Sequence, residues 1–456
     1  MTSLSTTPYK GTRDYYPEDK RVQNYIFAVW KKTAERFGYE EYGAPMLEPV
    51  EVYAAKSGQE LVGEQTYQFA DRGDRQVAIR PEMTPTISRM VAGRRQELAY
   101  PARLYSVANF MRYERPQRGR EREFWQLNVD MFGGAGAAAD LEIIQFGVEL
   151  MRAFGARDDM YVVKVNNRVL IDAMMTDFLG LDTVQSHLMV KLFDRKNKIS
   201  NEEFRDQAIE IFGTETAPEG LKKIAELLLA KDIKDMPKEI ADHPALVELK
   251  QLFSMLKKLG IANVVFDVTL MRGFDYYTGT VFEFFDTSPE NNRSMFGGGR
   301  YDGLVGLFGA EPISAVGIAP GLSTTELFLE SHGLLPVLHT NTDVYIIVLG
   351  DDSVVGAQKL AQELRNEGVN TELDSTLRKV DKQIKTALKK GVPYVIFVGE
   401  KELKSEIYAF KDLKTSEEQS LSPARIVSAV KDYRKKKRSS KILDEIDGLA
   451  EAIEQG

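Results

Sequence analysis

The sequence predicts an α+β protein in which an antiparallel sheet is interrupted by a helical insertion and followed by a small α/β domain. Two strand-like runs, ARLYSVANFMRYE and EFWQLNVDMF, lie close together between residues 102 and 132, which favours antiparallel pairing. A mostly helical stretch separates them from a second strand-rich segment. The residues after 343 then alternate strands with amphipathic helices, a pattern typical of an α/β domain.

These patterns divide the chain into a discontinuous core and two further regions. In the helical stretch, LKKIAELLLAKDI and ALVELKQLFSMLKKLG repeat apolar residues at helical spacing, and Gly260 follows the second as a helix-ending residue. The expected ranges are 1–154 and 263–331 for the core, 155–262 for the helical insertion, 332–343 for a linker, 344–435 for the α/β domain and 436–456 for a charged tail.

The C-terminal domain is predicted to contain a mostly parallel sheet. Its strands VYIIVLG, NTELD and PYVIFVG are spaced by amphipathic helices, and EIYAFKDL and the helix PARIVSAVKDY follow. Residues 341–440 hold 19 Lys and Arg against 15 Asp and Glu, in a chain whose net charge is −8. The run KDYRKKKR fits either a solvated helix end or a contact with nucleic acid. The tail beyond it is predicted to be a short amphipathic helix that packs on its own dimer.

The composition excludes several classes of function. The absence of cysteine excludes disulfides, cysteine-ligated zinc and thiol nucleophiles. The four histidines are scattered along the chain, so neither a histidine metal site nor a Ser/His/Asp triad is expected, and no metal or organic cofactor is expected to be bound by the protein. No apolar run is long enough to span a bilayer and the N-terminus resembles no targeting segment, so a cytoplasmic protein without membrane contact is expected.

The strand EFWQLNVDMF carries a stripe of polar side chains. Its alternation places Gln126, Asn128 and Asp130 on one face. Arg112 and Glu114 share one parity in the preceding strand, and the connection RPQRGRE holds three more arginines. The stripe is either a solvated sheet face or the floor of a site for an anionic ligand, which a guanidinium grips with two parallel hydrogen bonds.

Two other segments complete this set of candidate binding residues. In QVAIRPEMTPTISRM, Thr84 is predicted as the N-cap of a helix and Pro85 as its first residue. The Glu82 carboxylate either interacts favourably with the dipole of this helix or binds the ammonium group of a ligand. The segments MRGFDYYTG and MFGGGRYDG combine glycines with charged and phenolic side chains near strand ends. Neither has the spacing of a phosphate-binding P-loop, but together they suggest a shared pocket.

The quoted segments resemble the histidyl-tRNA synthetase family, which belongs to the class II aminoacyl-tRNA synthetases, from KGTRDYYP to about residue 434. GYEEYGAPMLEPVEVY is similar to class II motif 1, with Pro45 at the dimer interface, and NFMRYERPQRGREREFWQLNVDMFG is similar to motif 2. MRGFDYYTGTVFEF and GGGRYDGL resemble the two segments peculiar to the histidine specificity. The resemblance implies a class II catalytic sheet with a helical insertion and a C-terminal anticodon-binding-like domain.

The resemblance also implies a reaction and its partners. ATP, expected with Mg²⁺, would activate L-histidine to histidyl-adenylate with release of pyrophosphate, and a homodimer would transfer the histidyl group to tRNA(His). Arg112 and Arg272 would be catalytic and bind the ATP α-phosphate. The histidine-binding residues implied by the resemblance are Glu82, Met83, Thr84, Arg112, Gln126, Asp130, Arg272, Tyr276 and Tyr277. Within this set Glu82 and Thr84 would receive the α-ammonium, and Asp130 and the two tyrosines would define the imidazole pocket.

One departure from the family pattern keeps alternatives open. Motif 3 usually ends in an arginine that contacts the ATP γ-phosphate, but the matching segment AVGIAPGLSTTEL has no basic residue. This favours the non-catalytic, histidine-binding regulatory subunit of ATP phosphoribosyltransferase, although that paralogue lacks the C-terminal α/β domain. The segment DYYTGTVFEF argues against another class II synthetase, such as the threonyl or prolyl enzyme. A purely structural scaffold is the remaining alternative, but it would not need a pocket rich in arginine and tyrosine.

Overall fold

The structure of the protein is a computed structural model that describes residues 4–54, 61–196, 198–271, 276–291 and 293–435. It forms two compact units, one up to Pro336 and the other from Val337, so the division falls inside the stretch predicted as a linker. Two subjects of the sequence predictions, Arg272 and the tail 436–456, lie outside the described residues.

The helices and strands are numbered in chain order. The helices are α1 (Pro17–Arg36), α2 (Glu51–Ala54), α3 (Thr84–Gly93), α4 (Gly136–Ala153), α5 (Arg168–Ala173), α6 (Thr183–Asp194), α7 (Asn201–Phe212), α8 (Ala217–Leu229), α9 (Pro244–Lys258), α10 (Leu322–Ser331), α11 (Val354–Asn366), α12 (Val380–Lys389), α13 (Glu400–Ser405) and α14 (423–435). The strands are β1 (Glu40–Glu41), β2 (Leu47–Pro49), β3 (Gln68–Ala70), β4 (Gln76–Ile79), β5 (Ala102–Met111), β6 (Glu123–Phe132), β7 (Tyr161–Asn167), β8 (Val264–Phe266), β9 (Thr280–Asp286), β10 (Ser294–Arg300), β11 (Ala315–Ile318), β12 (Val344–Val348), β13 (Thr371–Leu373), β14 (Tyr394–Val398), β15 (Tyr408–Asp412) and β16 (Glu418–Leu421).

The first unit is built on an eight-stranded sheet in the order β1-β5-β6-β11-β10-β9-β7-β8. Its six inner strands pair antiparallel, and only the edge strands β1 and β8 pair parallel to their neighbours. The β5–β6 pair runs in continuous register from Ala102 opposite Phe132 to Met111 opposite Glu123, so the predicted antiparallel pairing is confirmed. Strands β9 to β11 return to β6 after the helical stretch, which makes the sheet discontinuous in sequence.

One face of β6 supplies the core of this unit. Leu127, Val129 and Met131 are buried in one large apolar cluster with residues of α1 and α4, including Trp30 and Phe146. Burial of this kind contributes about 1.5 to 3 kcal/mol for each large apolar side chain. The opposite face of the strand is therefore left to carry the polar residues.

The helical insertion begins later than the sequence pattern suggested. Strand β7 lies in the range predicted to be mostly helical, yet it pairs with β9 and β8 because its alternating sequence YVVKVNN buries every second side chain. Helices α5 to α9 follow it. The predicted helices over LKKIAELLLAKDI and ALVELKQLFSMLKKLG are confirmed as α8 and α9. Gly260, with φ of +73°, follows Leu259, the C-cap residue of α9.

A three-stranded sheet, β2-β4-β3, leads into α3. The prediction that Thr84 caps this helix is wrong, because Met83 holds the cap position and Thr84 is the first helical residue. Pro85 is still accommodated, since the first turn of a helix does not use its backbone N–H groups. Ile87 and Val91 face inward and are buried.

The second unit is a five-stranded sheet in the order β13-β12-β14-β15-β16. The first two pairings are parallel and the last two antiparallel, so the sheet is mixed rather than mostly parallel. The difference arises because the β14–β15 connection, which holds only the short α13, and the β15–β16 turn are both shorter than the roughly dozen residues that a parallel crossover needs. Residues of α11 and α14 pack on one face of β12, and those of α12 pack on the other. Within the described ranges, no helix has the length and apolar character needed to cross a membrane.

The close crossing of β10 and β11 gives a test of the sheet. A Cβ atom on Gly298 would lie 2.1 Å from the carbonyl oxygen of Gly317, so Gly298→Ala forces the two strands apart. We expect a loss of about 1 to 3 kcal/mol in the free energy of unfolding, measured by urea denaturation. Gly303→Ala is the control because no atom lies within 4 Å of its added Cβ. Equal stability of the two variants would contradict the strand spacing.

Candidate active site

A cavity of about 430 Å³ lies over the polar face of the large sheet. Its walls come from β6, β9, β10 and β11, from the connection between β5 and β6, and from the first turns of α3 and α10. Seven of the predicted site residues line it, and they come from segments far apart in the sequence. They are Glu82, Thr84, Arg112, Gln126, Asp130, Tyr276 and Tyr277.

The floor of the cavity is the polar stripe of β6. Asn128 and Asp130 are each only 4% exposed, which rules out the interpretation of the stripe as a solvated sheet face. Gln126 lies nearer the rim, where its Nε2 donates to the backbone oxygen of Ala319 at 3.4 Å. The pleat therefore aims three polar side chains into an enclosed space rather than into bulk water.

Asp130 is the most perturbed carboxyl group of the cavity. The Tyr301 hydroxyl donates to its Oδ1 at 2.5 Å, and Oδ2 has no hydrogen-bond partner among the described residues. Burial raises the pKa of Asp130 to about 7, although the hydrogen bond from Tyr301 acts in the opposite direction. Gly317 stands opposite on β11, and a Cβ there would lie 2.3 Å from Oδ1, so only glycine leaves room for the carboxyl group.

A second carboxyl group, that of Glu82, lies just before α3. Glu82 is buried, and the Tyr276 hydroxyl donates to its Oε2 at 2.8 Å. Burial raises the pKa of Tyr276 well above its usual value, so the phenol stays a neutral donor. The Tyr276 ring meets those of Tyr277 and Tyr301 edge to face at 5.1 and 5.9 Å between centroids, and this packing fixes the orientation of all three rings.

Arg112 brings positive charge to the cavity. The sequence pattern placed Arg112 and Glu114 within strand β5. The strand ends at Met111, so both residues lie in the connection that follows it. The Nε of Arg112 donates to the backbone oxygen of Pro81 at 2.9 Å, and its guanidinium lies over the Phe124 ring at 5.1 Å. These contacts orient a planar group suited to bidentate binding of an anion.

The β5–β6 connection adds a second cation. Arg120 lines the cavity and its Nε lies 2.8 Å from Oε2 of Glu114. Beside it, Glu121 accepts a hydrogen bond from the Ser323 hydroxyl at 3.0 Å, which ties the connection to the start of α10. In the described part of the chain, Arg112 and Arg120 are the basic residues that line the cavity.

Some predicted residues lie elsewhere and some lining residues were missed. Met83 does not line the cavity; it is buried in a small apolar cluster with Ala108 and Phe110. Arg272 lies outside the described residues. Asn128 and Tyr301 both line the cavity and were not singled out, although the first lay on the predicted polar face and the second in the quoted segment GGGRYDGL.

The segment that lacks the motif 3 arginine forms β11 and the start of α10. Thr324 lines the cavity there, and its hydroxyl donates to the backbone oxygen of Met295 at 2.7 Å. This contact joins α10 to β10. In the segment where the class II pattern has an arginine, the side chain of Thr324 thus makes a structural hydrogen bond.

The pKa of Asp130 predicts a pH dependence of stability. The folded state keeps this proton up to about pH 7, whereas the unfolded chain loses it near pH 3.8. Between these values the folded state binds more protons, so the free energy of unfolding decreases as pH rises, by at most about 1.4 kcal/mol per pH unit from this group. We expect Asp130→Asn to remove this decrease in urea unfolding series from pH 5 to 8 without ligand. Parallel curves for the two proteins would contradict the raised pKa.

Comparison with known proteins places these features in a family. A family model described as histidyl-tRNA synthetase matches residues 11–324, and one described as an anticodon binding domain matches residues 343–433. The histidine–tRNA ligase of Leptospira biflexa serovar Patoc is 41% identical over 435 residues, covering 94% of this chain and 98% of the relative. That of Thermococcus kodakarensis is 35% identical over 436 residues, covering 92% and 97%.

A solved structure agrees with the fold. The crystal structure of histidyl-tRNA synthetase from a Nostoc species superposes with a TM-score of 0.77 at 23% sequence identity, covering 94% of this chain and 100% of that one. The large antiparallel sheet and the C-terminal sheet therefore share the fold of that structure. The chain belongs to the histidyl-tRNA synthetase family.

Proposed function

We propose that the cavity joins L-histidine to ATP and that the resulting histidyl group is passed to tRNA(His). The observation that carries this proposal is the convergence of Glu82, Arg112, Gln126, Asp130 and the tyrosine pair on one enclosed space. An amino acid needs a carboxylate for its ammonium, a cation for its carboxylate and polar partners for its side chain. The cavity offers each of these.

The buried end of the cavity suits the imidazole ring of histidine. When ionised, Asp130 accepts hydrogen bonds through its open Oδ2, and Tyr276 and Tyr277 enclose the same region with neutral phenols. A site that buries such groups rejects apolar side chains by roughly 10⁴-fold, because their binding leaves the polar atoms unpaired. Glu82 and Thr84, at the start of α3, would receive the α-ammonium.

Arg112 would hold the reacting groups together. The histidine carboxylate oxygen attacks the α-phosphorus of ATP, a new oxygen–phosphorus bond forms, and the bond to the β-phosphate oxygen breaks as pyrophosphate leaves. A guanidinium fixed by Pro81 and Phe124 can contact both the carboxylate and the α-phosphate. Arg272 is assigned to the α-phosphate by motif position. Positioning and fixed positive charge supply the acceleration, and no covalent enzyme intermediate is needed.

The rest of ATP would extend toward the β5–β6 connection. Arg120 lies there, and it offers a charge for the outer phosphates where motif 3 has none. Mg²⁺ accompanying ATP would neutralise phosphate charge, and it commonly takes one or two carboxylates together with phosphate oxygens. Glu114 and Glu121 line this part of the cavity and would provide those oxygens.

The transfer step draws on both units of the chain. A ribose hydroxyl at the end of the tRNA attacks the carbonyl carbon of the adenylate, and AMP leaves. The C-terminal unit matches the anticodon binding domain model, and its region carries the excess of basic residues. Contacts of these residues with phosphates would make tRNA binding dependent on salt. We place the reaction in the cytoplasm, where the other components of translation reside.

The regulatory subunit of ATP phosphoribosyltransferase remains the second candidate. The motif 3 segment without a basic residue is the observation that favours it. The match of residues 343–433 to an anticodon binding domain favours the ligase. Formation of an adenylate separates the two functions, because the regulatory subunit is non-catalytic.

Exchange of labelled pyrophosphate into ATP tests the proposed reaction. We expect exchange that requires histidine and not tRNA, and a fall of about 10²-fold or more in kcat/KM for Arg112→Ala and Arg272→Ala, since each removes charge from the transition state. Arg118→Ala is the matched control, because Arg118 lies on the same connection, does not line the cavity and is largely exposed. Absence of exchange in protein that binds histidine would favour the regulatory subunit.

Motif 1 predicts a homodimer. Pro45 is exposed, and the neighbouring Met46 and Leu47 have 39% and 47% of their surface exposed, which is a suitable apolar edge for a second copy. Sedimentation equilibrium of the full chain is expected to give twice the mass of a single chain. We expect Leu47→Glu to shift the protein to the monomer, while Leu4→Glu, a change at another exposed residue, leaves the dimer intact. A monomeric wild-type protein would contradict this assignment.

A further inference from the structure

Asn128 is a buried polar residue of the cavity to which the reaction scheme gives no role. It lies between Gln126 and Asp130 on the cavity face of β6 and is 4% exposed. Its Nδ2 has no hydrogen-bond partner among the described residues. A buried amide donor left without a partner is costly, so native structures nearly always pair such groups with protein, ligand or water.

The neighbouring strands do not supply a partner for this amide. Ser106 stands opposite Asn128 on β5, but its hydroxyl makes no hydrogen bond to it. The next positions of β5 on this face are Leu104 and Ala108, opposite Asp130 and Gln126, and neither has a polar side chain. On the other side, β11 presents Gly317 opposite Asp130. The Nδ2 atom is therefore available to a ligand in the cavity.

The spacing of Asn128 and Asp130 fits a small ring between them. Residues two apart on a strand are separated by roughly 7 Å and point to the same face. That distance accommodates two hydrogen bonds of about 2.9 Å to two nitrogen atoms of one small heterocycle. Asn128 ends in an open donor, Nδ2, and Asp130, once ionised, ends in an open acceptor, Oδ2.

This pair of groups matches one form of imidazole. A neutral imidazole has one N–H donor and one acceptor nitrogen, whereas imidazolium has two donors. We propose that Asn128 is a specificity-determining residue that donates from Nδ2 to the unprotonated ring nitrogen of histidine, while Asp130 accepts from the ring N–H. The inference rests on the proposed function and deepens it, because it states which charge state of the side chain is recognised.

The groups around Asn128 allow the pH dependence of histidine binding to report on this contact. Tyr42 before β2, Tyr301 after β10 and Tyr276 and Tyr277 before β9 surround the floor, and burial raises the pKa of each well above its usual value. The charged residues that line the same cavity are Glu82, Arg112, Glu114, Arg120, Glu121, Asp130 and Glu283. At the floor, Asp130 changes charge near neutral pH, and so does a bound imidazole.

The test uses steady-state pyrophosphate exchange with the full chain. Asn128→Ala removes the donor, and we expect the KM for histidine to rise roughly 10-fold to 100-fold while the KM for ATP is unchanged. Asn128→Asp keeps the size but presents only acceptors when ionised, so it favours imidazolium. Its kcat/KM for histidine is expected to reach its optimum about one pH unit lower than that of the wild type.

Ser106→Ala is the matched control, since Ser106 is the buried polar neighbour of Asn128 that does not line the cavity. We expect its histidine KM and pH profile to match the wild type. An unchanged histidine KM in Asn128→Ala, an equal rise in the KM for ATP, or an unshifted pH profile in Asn128→Asp would overturn the assignment. Circular dichroism shows whether each variant is folded, and Asn128→Ser replaces any that is not.

Failure of this inference is distinguishable from failure of the proposed function. If the wild type performs no exchange, the proposed reaction fails, and isothermal titration of histidine into wild-type and Asn128→Ala protein then tests the contact directly. Loss of affinity in the variant supports the role of Asn128 in a binding protein, and equal affinity overturns it. If exchange occurs, the KM values and pH profiles decide.

Discussion

The antiparallel pairing of β5 with β6 is the constraint on which the rest of the catalytic unit depends. Its continuous register fixes every side chain of β6 to one of two faces, with Leu127 and Val129 in the core and Asn128 and Asp130 in the cavity. A slip of one residue would exchange these sets, and it would bury the polar atoms in the core. Stability of the sheet and placement of the site are thus consequences of one register.

The same pairing explains how a site can be both buried and polar. Strand β11 covers the other edge of β6 with Gly317, whose missing side chain leaves space for the Asp130 carboxyl group. Tyr301 then reaches this carboxyl from the end of β10. Burial raises the Asp130 pKa to about 7, a value at which a carboxyl group responds to the charge of a bound imidazole. The perturbed carboxyl group, the amide of Asn128 and the tyrosine rings line one cavity.

Much of the site was visible in the sequence because it follows from local rules. The alternation of EFWQLNVDMF placed Gln126, Asn128 and Asp130 together, and seven predicted residues do line one cavity. Predictions were less accurate where one segment fitted two kinds of local structure. The cap of α3 was displaced by one residue from Thr84 to Met83, and β7 was hidden in a stretch dominated by helical periodicity. The C-terminal sheet was predicted to be mostly parallel, but its last two pairings are antiparallel. The alternation of strands and helices along the sequence does not determine how the last strands pair.

The sequence by itself determined the periodicity of its strands and helices, the family they belong to and most of the polar residues that line the cavity. These properties depend on residue type and on spacing of a few positions along one element. Only the tertiary structure decided that Asn128 and Asp130 are buried with open hydrogen-bonding atoms, that Met83 lies outside the cavity and that Tyr301 contacts Asp130. Burial and pairing depend on neighbours that lie on other elements of the chain, such as Ala108 beside Met83 and Tyr301 beside Asp130, and no local pattern records them.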